Sequence, residues 1–105
     1  MDKKSVTIKI LKDFKKKINN LIDLDKLILF GSRARGNSRA DSDIDLIIVS
    51  NDFKGEKSFK RCSPFYFEWN YEPEVDIICL TPDELEEKSK KIGIIKNAMV
   101  DGVLI

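Results

Sequence analysis

Between residues 5 and 22 the apolar side chains Ile10, Leu11, Phe14, Ile18, Leu21 and Ile22 recur at intervals of three and four, with lysines between them. That period predicts an amphipathic helix with one core-facing stripe, and it makes Lys15, Lys16 and Lys17 its solvated back. Residues 27–30 are a short continuous apolar run ending at Gly31, the pattern of a buried strand leading into a turn. Residues 31–42, GSRARGNSRADS, are small, polar and basic. Residues 43–49 resume an apolar strand whose start carries two aspartates, and 51–57 read as loop. Over 58–70, Phe59, Cys62, Phe65, Tyr66 and Trp69 fall at roughly helical spacing, but Pro64 has no amide donor and clashes with the preceding turn, so the helix should kink or restart there. Residues 74–80 hold VDIICL, a third buried strand with one aspartate inside it. Thr81-Pro82-Asp83-Glu84 then opens a helix, with threonine as N-cap, proline at the first helical position and Glu84 completing a capping box. Residues 97–101 close another short helix before a final strand over 103–105.

Helices interleaved with strands, with no internal repeat and no linker of biased composition, predict one α/β (α+β) domain over residues 1–105: a mixed β-sheet flanked by helices. A chain of 105 residues has room for one modest core, burying roughly 65% of its unfolded surface. Composition narrows the function. Apolar residues at 42% and charged residues at 35% suit a soluble globular protein. Nineteen basic against eighteen acidic residues give a net charge of +1, so no bulk field draws nucleic acid or a membrane, and any polyanion must be recognised locally. No apolar run approaches the ~20 residues of a membrane span, and lysines interrupt the N-terminal segment where a signal peptide needs apolar continuity; a cytoplasmic location is expected. Cys62 and Cys79 stand apart in sequence, without the spacing of a zinc knuckle or redox pair, and histidine is absent. If the chain is catalytic, carboxylates and metal must carry the chemistry.

Asp43 and Asp45 lie two apart on a predicted strand, so both side chains share one face while Ile44 points to the other. Adjacent carboxylates repel, and in an apolar setting one must hold its proton unless a cation neutralises the pair. Asp76, among Val75, Ile77 and Ile78, is a third carboxylate on a strand expected to be buried, where it needs a cation or hydrogen-bond donors. If the two strands are neighbours, three hard oxygen donors converge and select Mg²⁺ or Mn²⁺ over softer metals. Gly31-Ser32 ahead of a helical turn supplies the complementary half: backbone that can approach closely, amides at a helix start, and a hydroxyl donor. Arg33, Arg35 and Arg39 place cationic forks beside it for phosphate charge. Two divalent ions about 3.5–4 Å apart bridging a triphosphate drive nucleotidyl transfer in known sites. A calcium loop would need glycine where Leu46 stands, and no Gly-Lys-Ser/Thr follows Gly31 as a Walker loop requires. Each motif alone is weak; the combination is specific.

Gly31-Ser32, ten intervening residues and Asp43-Ile44-Asp45, followed by VDIICLTPDEL with Asp76, resemble the signature of the minimal nucleotidyltransferases in the DNA polymerase beta-like superfamily. The resemblance implies a palm-like core in which Asp43 and Asp45 bridge two metal ions, Mg²⁺ or Mn²⁺, and Asp76 ligates the catalytic one. It also implies that Gly31 and Ser32, helped by Arg33 and Arg35, grip the triphosphate of ATP or another nucleoside triphosphate. By the same resemblance the acceptor hydroxyl belongs to a HEPN-type toxin, which the domain, acting as antitoxin, would neutralise by adenylylation. The alternative is neutralisation by occlusion without catalysis. Larger relatives add a domain that holds acceptor or base, and this chain stops after its core, so the acceptor is not specified. Phe65, Tyr66, Phe67, Trp69 and Tyr71 divide between core and a possible partner surface. Oligomeric state and nucleotide preference are left open.

Overall fold

The computed structural model describes residues 3–36 and 43–105. Helix α1 (Lys3–Asn19) leads to β1 (Lys26–Phe30), the single-turn helix α2 (Ser32–Arg35) and β2 (Ile44–Val49). A 3₁₀ turn over Asn51–Phe53 precedes α3 (Ser58–Arg61), α4 (Ser63–Glu68), β3 (Val75–Leu80), α5 (Pro82–Ser89), α6 (Ile94–Asp101) and β4 (Val103–Leu104). The four strands form one mixed sheet in the order β3-β2-β1-β4. β1 runs antiparallel to β2 and β4, and β2 runs parallel to β3. The predicted fold class is the one observed.

Strand periodicity divides the core between the two faces of the sheet. On one face Leu27, Leu29, Ile44, Leu46, Ile48, Val75 and Ile77 pack with Leu11, Phe14 and Ile18 from the stripe of α1 and with Phe65 from α4. On the other, Ile28, Ile47, Val49 and Leu80 meet Leu85 of α5 and Ile95 and Ala98 of α6. Each fully buried aliphatic side chain contributes roughly 1.5–3 kcal/mol. The parallel β2–β3 link must cross a face, and the 3₁₀ turn, α3 and α4 make that crossing over the α1 side.

Several expectations shift in detail. α1 stops at Asn19 rather than residue 22, leaving Leu21 exposed beyond the last turn. The element over 58–70 breaks at Cys62 into α3 and α4, with Pro64 in the first turn of the second helix, where its missing amide is harmless. α6 runs Ile94–Asp101, closing where expected. The aromatic cluster divides: Phe65 is buried, Trp69 stacks edge-on against Phe14 at 4.8 Å, and Phe67 is 83% exposed. Tyr66 is exposed, but its hydroxyl accepts the Ile77 amide at 2.9 Å.

Arg61 knits α3 to the β3–α5 junction. Its buried guanidinium donates to the Glu56 carbonyl at 3.0 Å, the Cys79 carbonyl at 3.3 Å and Glu84 Oε1 at 2.5 Å. Glu84 also closes the predicted capping box, accepting the Thr81 amide at 2.8 Å while Thr81 Oγ1 accepts the Glu84 amide at 3.2 Å. The bond from Arg61 holds the Glu84 carboxyl below its ordinary value of 4.5. A depressed carboxyl contributes stability that is complete above its unfolded pKa and is lost as pH falls through the folded one. Glu84→Gln should therefore destabilise the chain at about pH 6 and progressively less toward about pH 3, as urea titrations across that window would show.

Candidate active site

Asp45 and Asp76 are Cα partners in the parallel β2–β3 ladder, and Phe30 is the partner of Asp45 on β1. Side chains at paired positions project to the same face, so both carboxylates lie on the side covered by α5 and α6, in line with Ile47 and Ile78. Asp43 immediately precedes β2 and is exposed. Asp76 is exposed too, a correction to its expected burial: β3 is an edge strand, and its outward position at 76 stays open to solvent. Asp45 is the half-covered member of the set. Its carboxyl is pushed above the usual range, first by burial and then by the negative charges of Asp76 and Asp43, with Arg35 opposing. The described residues hold no preassembled cage of three or more His, Cys, Asp or Glu. What they offer a divalent ion is the hard oxygen donors of Asp45 and Asp76 on one face, with the charge of Asp43 reaching Asp45, a mutual repulsion that a cation would relieve.

Gly31 joins β1 to α2 with φ 77 and ψ −160, and a Cβ placed there would collide with Asp45 Oδ2. Glycine is thus required twice, by the backbone conformation and by the carboxylate lying against it. The Gly31 carbonyl accepts the Ala34 and Arg35 amides, so the Ser32 amide stands ahead of the first intrahelical bond. Gly36, with φ 79, ends the helix in the left-handed conformation.

The arginines part company. Arg35 is exposed, its charge reaches Asp45, and its Nη1 lies 3.9 Å from Asp101 Oδ2 on α6. Arg33 is 5% exposed and donates from Nη1 to the buried Thr7 Oγ1 of α1 at 3.1 Å, on the opposite side of the sheet from the carboxylates. It anchors α2 to α1 and is not brought to the carboxylate group. Arg39 lies outside the described residues.

A cleft of about 180 Å³ adjoins Gly31 and Arg35 and is closed on its far side by Ile94, Asn97 and Asp101 of α6. Sequence reading did not single out Asn97 or Asp101; their i, i+4 spacing was visible, but not that α6 packs beside β1. A larger cleft, about 720 Å³, runs along β3 and contains none of the predicted site residues. Size alone does not mark the chemistry.

A glycine turn thus packs against one of three carboxylates, on a mixed sheet with helices on both faces. The sequence profile of the nucleotidyltransferase domain family matches residues 8–101, and the chain belongs to that family. It is 48% identical over 44 residues to a protein of Methanocaldococcus jannaschii provisionally named a protein adenylyltransferase; the match spans 40% of this chain and 44% of that relative. Its fold superposes with a TM-score of 0.67 on the crystal structure of a provisionally assigned nucleotidyltransferase from Sulfolobus solfataricus, at 27% identity, covering 97% of this chain and 81% of the other.

Two consequences follow for stability. Gly31→Ala should cost on the order of 1–3 kcal/mol in denaturant unfolding, because alanine must hold a positive φ and displace the Asp45 carboxylate. Asp45→Asn should raise the melting temperature by a few degrees in metal-free buffer at neutral pH, since it removes a half-covered charge that Asp43 and Asp76 repel. A calorimetric scan of the variant beside wild type reads it directly.

Proposed function

We propose that this domain transfers a nucleoside monophosphate, AMP from ATP, to a hydroxyl of an acceptor protein, with Mg²⁺ as the metal and Mn²⁺ a substitute. The observation that carries this reading is the placement of Gly31 against the carboxylate of Asp45, itself in register with Asp76. Phosphate turn and metal-ligand set form one contact rather than two separate features.

In this reading Asp43, Asp45 and Asp76 would hold two divalent ions. Bound there, the ions supply charge neutralisation for the triphosphate and for the attacking and leaving oxygens. Ser32 offers its amide and hydroxyl to phosphate oxygens, and Arg35 is placed to leave Asp101 for the triphosphate, since an exposed pair at 3.9 Å holds it only weakly. Asp76, open to solvent on the edge strand, is accessible to an incoming hydroxyl and can accept its proton. The acceptor class, a helical HEPN-type partner in an antitoxin role, rests on resemblance.

ATP labelled at the α-phosphate, incubated with the chain, Mg²⁺ and the protein encoded beside it, should deposit label on that partner. Asp43→Ala with Asp45→Ala should abolish the transfer, and chelation should stop it. No transfer from any nucleoside triphosphate would sink the proposal.

One observation favours the second reading, neutralisation by occlusion: the apolar cleft along β3 is flanked by Phe59, 75% exposed, and Ile92, 97% exposed. A double aspartate variant that still binds the partner yet no longer neutralises it would exclude occlusion as sufficient.

A further inference from the structure

Cys62 and Cys79, seventeen positions apart in the chain, come together where the α3–α4 junction packs on β3, with their sulfurs 2.8 Å apart. We propose that they form a thiol-oxidation site that closes to an intramolecular disulfide when a small-molecule disulfide such as oxidised glutathione is the oxidant. This rests on geometry independent of the transferase reading.

The sulfurs already lie within van der Waals contact, and bond formation draws them to about 2.05 Å. Both are carried on braced backbone. Tyr66 receives the Ile77 amide, and Arg61, the residue before Cys62, donates to the carbonyl of Cys79 itself. Neighbouring side chains thus bind the α3–α4 segment to the very strand the disulfide would join. Accessibility is unequal in the useful sense. Both cysteines line the large cleft along β3, but Cys62 is half-buried and Cys79 is buried. An oxidant entering the cleft meets Cys62 first.

The electrostatics agree. While the pair is neutral, the Cys62 thiol has the Ile77 carbonyl as an acceptor at 3.4 Å. On ionisation its thiolate is stabilised chiefly by the Cys79 S–H, then by the Cys79 amide and the Arg61 charge, which together hold Cys62 below the ordinary thiol value. The Cys79 thiol is pushed up, by its bond to Cys62 and by burial. One thiol is the nucleophile and the other keeps its proton until attacked.

The steps balance. The Cys62 thiolate attacks one sulfur of oxidised glutathione, forming a mixed disulfide and releasing one glutathione thiol that takes up the Cys62 proton. Cys79 then attacks the Cys62 sulfur, the Cys62–Cys79 bond forms, and the second glutathione leaves with the Cys79 proton. Two protein thiols are oxidised and one glutathione disulfide is reduced. The product fastens the edge strand bearing Asp76 to α3–α4.

The test treats the folded full chain with excess oxidised glutathione and reads intact mass under non-reducing conditions. Expected is a monomer lacking two hydrogens, a cross-link between the peptides holding Cys62 and Cys79, reversal by dithiothreitol, and a higher melting temperature than the reduced chain. Cys79→Ser should stop at a glutathione adduct on Cys62, and Cys62→Ser should leave Cys79 unreacted. Wild type that stops at the adduct, forms only linked dimers, or keeps both thiols would overturn the proposal. In the last case the two sulfurs are merely packed core.

Discussion

Two carboxylates set side by side on a sheet repel each other, and the parallel pairing of β2 with β3 imposes that arrangement on Asp45 and Asp76. The arrangement persists because it is embedded in a ladder whose other pairs are apolar: Leu46 with Ile77, Ile47 with Ile78, Ile48 with Cys79 and Val49 with Leu80. A slip of one residue would turn the whole apolar set of β3 to the wrong face, so the buried rows hold the register and the register holds the carboxylates together. Stability and chemistry thus occupy the two ends of the same pair of strands.

The helices serve that pairing from both sides. α1 and α4 cover one face, while α5 and α6 cover the other only along the rows of Ile47, Val49 and Leu80, leaving the Asp45–Asp76 end open. The placement of the Gly31 turn comes from the same geometry. β1 is antiparallel to β2, so it delivers Gly31 at the end where β2 begins, directly against Asp45. Arg33, although part of the motif, is used to seat the short α2 on Thr7; a four-residue helix has little stability of its own and needs such an anchor.

Much of this was legible in the chain. The stripe Leu11, Phe14 and Ile18, the strand runs and the Thr81–Glu84 capping box are local signals, written in residues a few positions apart. Asp45 was legible as facing away from Ile44 for the same reason, whereas Asp43, expected on the same strand face, falls just before β2. Arg33 and Arg35 were not separable, because two arginines two positions apart on a helical turn point to opposite sides, and only packing says which side is core. Asp76 was misjudged as buried because an apolar flank reads alike in a central strand and an edge strand.

The sequence by itself determined the element types, the supply of three aspartates in a chain without histidine, and the glycine at the turn after β1. Tertiary structure alone decided strand order, the adjacency of Asp45 and Asp76, the exposure of each carboxylate, and the meeting of Cys62 with Cys79. The physical reason is range. Periodicity, capping and turn chemistry act between residues a few positions apart, whereas strand neighbours 31 positions apart are chosen by which faces can be buried together.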